Sequence, residues 1–179
     1  MMTPDNSVLA LVDVQEKLFA VMHEKDALAD RLQRLVRGAL ALKLPVLWME
    51  QTPDKMGPTV APLRELLAGR APLSKTSFSC CGSPAFLQAL RDTGRRQVLL
   101  AGLETHVCVY QTAAHLVQAG YGVAVAADAV SSRTAADRQL GLQKIRDAGA
   151  GVTSVETALF ELLQTSEHPA FREILRIVK

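Results

Sequence analysis

Short, unbroken apolar runs alternate with segments of helical periodicity along nearly all of this 179-residue chain, and that alternation limits the fold more than any other feature. Ser7 to Val12 reads Ser-Val-Leu-Ala-Leu-Val, the length and continuity of a strand buried on both faces. Apolar residues then recur at helical spacing from Gln15 to Met22 and from Asp26 to Leu42. Further strands are predicted at 45–49, 73–76, 97–103, 122–127 and 151–153, with helices at 84–90, 105–119 and 135–148. Ser83 caps and Pro84 opens the 84–90 helix. The prolines and glycine at Pro53, Gly57, Pro58 and Pro62 mark 52–62 as a loop and a candidate pocket wall. Such a β-then-α beat implies right-handed crossovers and an α/β fold in which helices cover both faces of a parallel sheet. With 49% hydrophobic residues, one domain over residues 1–179 buries most of its apolar surface.

In an open parallel sheet, ligands collect beyond the carboxyl ends of the strands, so polar residues there carry most weight. Asp13 closes the first strand, and Cys108 follows the fourth, inside the first turn of its helix, where free amides and the helix dipole favour a thiolate. Gly102 permits a sharp bend before it, which sketches an oxyanion hole. Each residue also has a plainer reading. Cys108 suits a small buried side chain, Asp13 a helix cap, and Lys75 a solvated surface lysine, although its place between the apolar Leu73 and Phe78 hints at partial burial. Cys80 and Cys81 read as packing residues near the site.

Several chemistries are excluded. No glycine-rich phosphate loop follows the first strand, the second acid of the aspartate-nucleophile phosphatases is replaced by Gln15, and no Gly-x-Ser-x-Gly elbow occurs. His23, His106, His115 and His168 lack the spacing of ligand pairs, so no metal and no cofactor are expected. The 20 basic and 18 acidic residues are scattered, which points to a small-molecule substrate rather than nucleic acid. Three cysteines make a poor disulfide framework, and no apolar run approaches the length of a membrane span. A cytoplasmic location and no membrane partner are therefore expected.

Three segments, Leu11-Val12-Asp13-Val14-Gln15, Ser74-Lys75-Thr76-x-Phe78-Ser79 and Gly102-Leu103-Glu104-Thr105-His106-Val107-Cys108-Val109, resemble the isochorismatase-like cysteine hydrolases. Glu50-Gln51-x-Pro53, Asp128-Ala129-x-Ser131-Ser132-Arg133, Asp137-Arg138 and His168-Pro169-x-Phe171 are similar to the branch of isochorismatase domain-containing proteins. The resemblance implies a three-layer, doubly wound, Rossmann-like fold with a six-stranded parallel sheet, and a catalytic triad of Asp13, Lys75 and Cys108. It further implies a cis peptide at Leu103–Glu104 and a homo-oligomer. Nicotinamidases of the superfamily carry a metal-binding cluster where this chain has Glu50-Gln51-Thr52-Pro53, which argues against that activity.

The mechanism this implies is attack by Cys108 on an amide carbonyl, with Asp13 as base and Lys75 favouring both anions. The oxyanion would rest on the backbone amides of Glu104 and Cys108. Gln15, Phe19, Gln51 and His106 are the expected pocket residues, although His106, two positions before Cys108 on a helix, would face elsewhere as a base. Hydrolysis of an ester or vinyl ether, or a silent binding or scaffold module of the same fold, are the alternatives. Phe160, Leu163, Leu175 and Ile177 near the C-terminus suit an interface or the core.

Overall fold

A computed structural model describes all residues, Met1–Lys179. Six strands, β1 (Ser7–Val12), β2 (Val46–Gln51), β3 (Leu73–Lys75), β4 (Gln97–Leu103), β5 (Gly122–Ser131) and β6 (Gly151–Thr153), form one sheet in the order β3-β2-β1-β4-β5-β6. Every pairing is parallel. Nine helices accompany them: α1 (Glu16–Phe19), α2 (Lys25–Ala41), α3 (Pro53–Met56), α4 (Ala61–Leu66), α5 (Pro84–Asp92), α6 (Tyr110–Gln118), α7 (Ala135–Asp147), α8 (Val155–Leu163) and α9 (Phe171–Val178).

Period-two alternation in β1 divides the core. Leu9 and Leu11 face a layer built from α2, α8 and α9, whereas Val8, Ala10 and Val12 face one built from α5, α6 and α7. With both faces covered, all six residues of β1 are buried, which is why its sequence is continuously apolar. Chain order runs outward from β1 to β3 in one direction and from β4 to β6 in the other. The switch point, where such sheets open a crevice, therefore lies between β1 and β4.

Several boundaries differ from expectation. The 52–62 stretch is not a plain loop, because Pro53 and Pro62 occupy first-turn positions and start α3 and α4. The first helical segment contracts to α1, and the chain then turns so that the His23 amide donates to the Ser132 carbonyl at 2.9 Å. β5 runs four residues past Ala127. Opposite β4 its register jumps from Val125 (on Leu100) to Val130 (on Gly102), and the bulge carries the strand end toward the site. Arg138 of α7 holds that bulge, donating through Nε to the Val130 carbonyl at 3.0 Å and through Nη2 to that of Ala127. Of the C-terminal apolar residues, Leu163 is buried, and Phe160 and Ile177 pack against the core.

Gly102 makes the crevice possible. It pairs with Val12 at φ 139°, and a Cβ built there would lie 2.1 Å from the Val12 carbonyl oxygen. Gly102→Ala is expected to lower stability by about 2–4 kcal/mol, through left-handed strain and a backbone clash with no room to relax. Urea unfolding measures it. A loss below about 1 kcal/mol would show that β1 and β4 separate freely at this point.

Candidate active site

Asp13, the residue after β1, adopts φ 55°, a left-handed conformation that aspartate tolerates better than most residues and that turns the chain off the sheet. Its amide donates to Met49 O at 3.2 Å and its own carbonyl accepts from the Gln15 amide at 2.8 Å. The carboxylate is fully buried. Lys75, at the end of edge strand β3, reaches across the end of β2 so that its Nζ donates to Asp13 Oδ2 at 2.6 Å. The same ammonium donates to Gln51 Oε1 at 2.7 Å and to the carbonyls of Phe78 and Ser77 at 2.9 and 3.1 Å. Its side chain is 0% exposed, which rules out the surface-lysine reading. Cys108, buried at the start of the helical turn after β4, is near enough to Asp13 for each group to shift the other's proton affinity, which brings all three residues to the switch point. Asp13 Oδ1 has no hydrogen-bond partner.

Gln15 and Gln51 buttress the lysine. Gln15 Nε2 donates to the carbonyls of Gly57 and Gln51 at 2.7 and 3.1 Å, while its Oε1 accepts from the Gln51 amide at 2.7 Å. Gln51 Nε2 donates to Thr76 O at 2.8 Å, which aims its own oxygen at Lys75. Phe19 is half-buried against the layer containing α2. Glu50, 5% exposed, accepts from the Thr59 amide and hydroxyl at 2.7 and 2.8 Å and adds negative charge near Asp13. Nothing local in the sequence announced that role. A cleft of about 400 Å³ borders Lys75, lined by Thr52, Asp54, Ser74, Thr76 and Ser83 among others.

The turn from Glu104 to Val109 bears on two expectations. No peptide bond is cis, so Leu103–Glu104 is trans, and the reversal is made instead by Glu104 at φ 56°, ψ 64°. For a glutamate this left-handed conformation costs about 1–2 kcal/mol. A π-helical turn, Thr105–Val109, follows before α6 begins, closed by the Val109 amide donating to Glu104 O at 3.4 Å. The Glu104 amide has no acceptor in the protein. His106 faces away from the thiol, its Nδ1 3.0 Å from Ser132 Oγ.

The second expectation concerns charge. Burial pushes the Cys108 thiol far up, and the neighbouring Asp13 carboxylate adds to this more than Lys75 subtracts; the helix-end field does not prevail. Burial likewise raises Asp13 above the usual carboxylate range against the pull of Lys75. Both shifts favour the protonated form, of the thiol and of the carboxylate beside it. Cys80, with its amide donating to Thr112 Oγ1 at 3.0 Å, is fully buried and pushed up to about 12 by burial and by Asp13.

Unfolded thiols titrate near 9, so above that pH the folded chain binds more protons than the unfolded chain. Cys80 therefore contributes stability that is complete below pH 9 and is lost as pH rises toward 12, by up to about 1.4 kcal/mol per pH unit. Cys80→Ala is expected to flatten stability against pH between 9 and 11. Parallel curves for the two proteins would contradict the assignment.

Residues 7–157 match the isochorismatase domain. The chain belongs to the isochorismatase domain family. Isochorismatase domain-containing protein 1 of Danio rerio is 37% identical over 179 residues, covering 99% of this chain, which spans 62% of that protein's length. A secreted isochorismatase effector, Isc1, of Phytophthora sojae is 35% identical over 181 residues, covering 98% of this chain and 86% of its own. Among solved structures, the MAR1 ribonuclease of Caenorhabditis elegans superposes with a TM-score of 0.93 at 36% identity, covering 99% of this chain and 91% of its own. The fold also recurs in the YcaC gene product of Escherichia coli, named an octameric hydrolase of unknown specificity, with TM-score 0.89, 21% identity and coverage of 98% and 94%. No helix of this family member is long and apolar enough to cross a membrane.

Proposed function

We propose that the protein is a cysteine hydrolase that cleaves the C–N bond of a small amide through a thioester on Cys108, with Asp13 and Lys75 completing a catalytic triad. The division of labour on one carboxylate carries this reading: Oδ2 is tied to Lys75 at 2.6 Å, while Oδ1, buried and without a hydrogen-bond partner, is free to take the thiol proton. As Sγ attacks the carbonyl carbon, Asp13 takes that proton, and Lys75 keeps the charge of the site balanced. The oxyanion settles on the amides of Glu104 and Cys108. Collapse expels the amine, which leaves with the proton from Asp13. The regenerated carboxylate then deprotonates water as it attacks the thioester; the C–S bond breaks, the acid departs, and Asp13 returns the proton to the Cys108 sulfur.

The raised proton affinity of Asp13 favours a second reading, in which the same acid protonates an ester or vinyl ether and the thiol is secondary. Turnover of small amides, esters, vinyl ethers and an RNA oligonucleotide by the native protein separates these readings. The proposal predicts release of amine or ammonia from an amide and no cleavage of RNA; vinyl ether turnover alone would move the assignment to the second reading. A protein that turns over nothing, and whose Cys108 labels no faster than Cys81 with an electrophile, would be a binding module.

Burial of the triad and the near balance of scattered charges support a small-molecule substrate rather than a nucleic acid. Three free cysteines suit a reducing, cytoplasmic setting, and a homo-oligomer is proposed from the octameric name of the YcaC neighbour. Light scattering on the purified protein reads the assembly directly, and a monomeric mass would remove that part of the proposal.

A further inference from the structure

Glutamate is an unexpected choice at position 104. The left-handed backbone there suits glycine, asparagine or aspartate better, so its side chain must repay the strain in another way. The carboxylate, only 12% exposed, lies between Arg133, whose Nε is 3.4 Å from Oε1 as an ion pair without a hydrogen bond, and His106, whose Nε2 is 3.7 Å from Oε2. His106 is itself anchored to Ser132, and Asp137 Oδ1 of α7 stands 4.0 Å from its Nε2. Both Ser132 and Arg133 reach the turn because the β5 bulge, held by Arg138, delivers them there. On another side Gly141 of α7 presses on the peptide backbone: a Cβ there would lie 2.6 Å from both Thr105 C and His106 N.

We propose that Arg133 and Glu104 are a positioning pair that sets the direction of the Glu104 amide, the unpaired N–H assigned above to the oxyanion. This inference rests on the thioester reading. Arg133 is 60% exposed, and an ion pair so open to water adds little to global stability. Its consequence is geometric: a carboxylate drawn toward Arg133, two residues past the end of β5, biases the rotation of the residue whose N–H must point at the reacting carbonyl oxygen. Glu104 and Arg133 touch neither the thiol nor its proton acceptor, so the pair acts on the tetrahedral step without acting on ionisation of Cys108.

Two reactions of the same sulfur separate these effects. With p-nitrophenyl acetate, the Sγ–C bond forms, the C–O bond to nitrophenolate breaks, and the thiol proton passes through Asp13; this route develops an oxyanion. With iodoacetamide, Sγ displaces iodide at a saturated carbon, the proton again going to Asp13, and no oxyanion arises. Arg133→Ala and Glu104→Gln are expected to lower the maximal acylation rate about tenfold or more while alkylation stays within about twofold, and Arg133→Lys is expected to recover most of the loss.

Acylation by Arg133→Ala at the native rate would overturn the proposal. So would a parallel fall in alkylation, which would place the effect on the thiol. A loss confined to the half-saturating ester concentration would make Arg133 a substrate contact instead. Cys108→Ala protein releasing nitrophenolate as fast as native would defeat the thioester reading itself, a result distinguishable from failure of the pair.

Discussion

Replacing Cys108 with alanine is expected to lower turnover of any amide the native protein cleaves by at least about a thousandfold, because covalent catalysis loses its nucleophile and only binding and oxyanion contacts persist. The fold should tolerate the change, since the side chain is small and its thiol is held neutral. Asp13→Asn should produce a loss of similar size for a different reason. Asparagine still accepts a hydrogen bond from Lys75 but cannot take the thiol proton. Cys80→Ala serves as the control, because Cys80 lies deeper and its amide and thiol face Thr112 rather than the crevice. Its turnover should stay within about threefold of native. Comparable rates in Cys108→Ala and native protein would remove the thiol from the reaction.

Lys75→Met is expected to damage both stability and activity. The ammonium satisfies Asp13, Gln51 and two backbone carbonyls at once from a position closed to water. Removing it leaves a buried carboxylate without a counterion and three acceptors without a donor. Loss of one member of a buried ion pair costs about 3–5 kcal/mol, and Asp13 would respond by holding its proton to still higher pH. A protonated Asp13 cannot act as base, so turnover near neutral pH should fall by at least about a hundredfold even where the protein remains folded. Combining the change with Asp13→Asn should recover part of the stability but none of the activity, since the orphaned charge is then gone. A double variant as unstable as the sum of its single changes would show that the two residues are not coupled.

Local signals made the framework legible. The unbroken apolar run of β1, the Ser83–Pro84 start of α5 and the Gly102 bend each depend on neighbours in sequence, and each is found in the structure. Asp13 and Cys108 were legible for the same reason, since strand ends and helix starts are local events and the sheet then brings them together. Lys75 was not: its reach past β2 depends on strand order and on Gln51, which no spacing encodes. The support that Gln15 and Gln51 give Lys75 was hidden for the same reason, because their partners, the Gly57 and Thr76 carbonyls, lie on separate loops.

The direction in which the thiol's proton affinity is moved was the feature furthest from sight in the sequence. A helix start favours an anion, but burial beside a carboxylate outweighs it, and burial is a property of the assembled layers. The left-handed Glu104 and the π-helical turn behind it were equally hidden, because they follow from how β5 and α7 close on the turn.

The most direct measurement is intact-mass spectrometry of protein quenched during turnover of an amide or activated ester, followed by mapping of the modified peptide. The account predicts an acyl adduct on the peptide containing Cys108, which decays as product accumulates and is absent from Asp13→Asn protein treated identically. Full turnover with no adduct on Cys108 at any quench time, or an adduct that forms equally well without the Asp13 carboxylate, would contradict it.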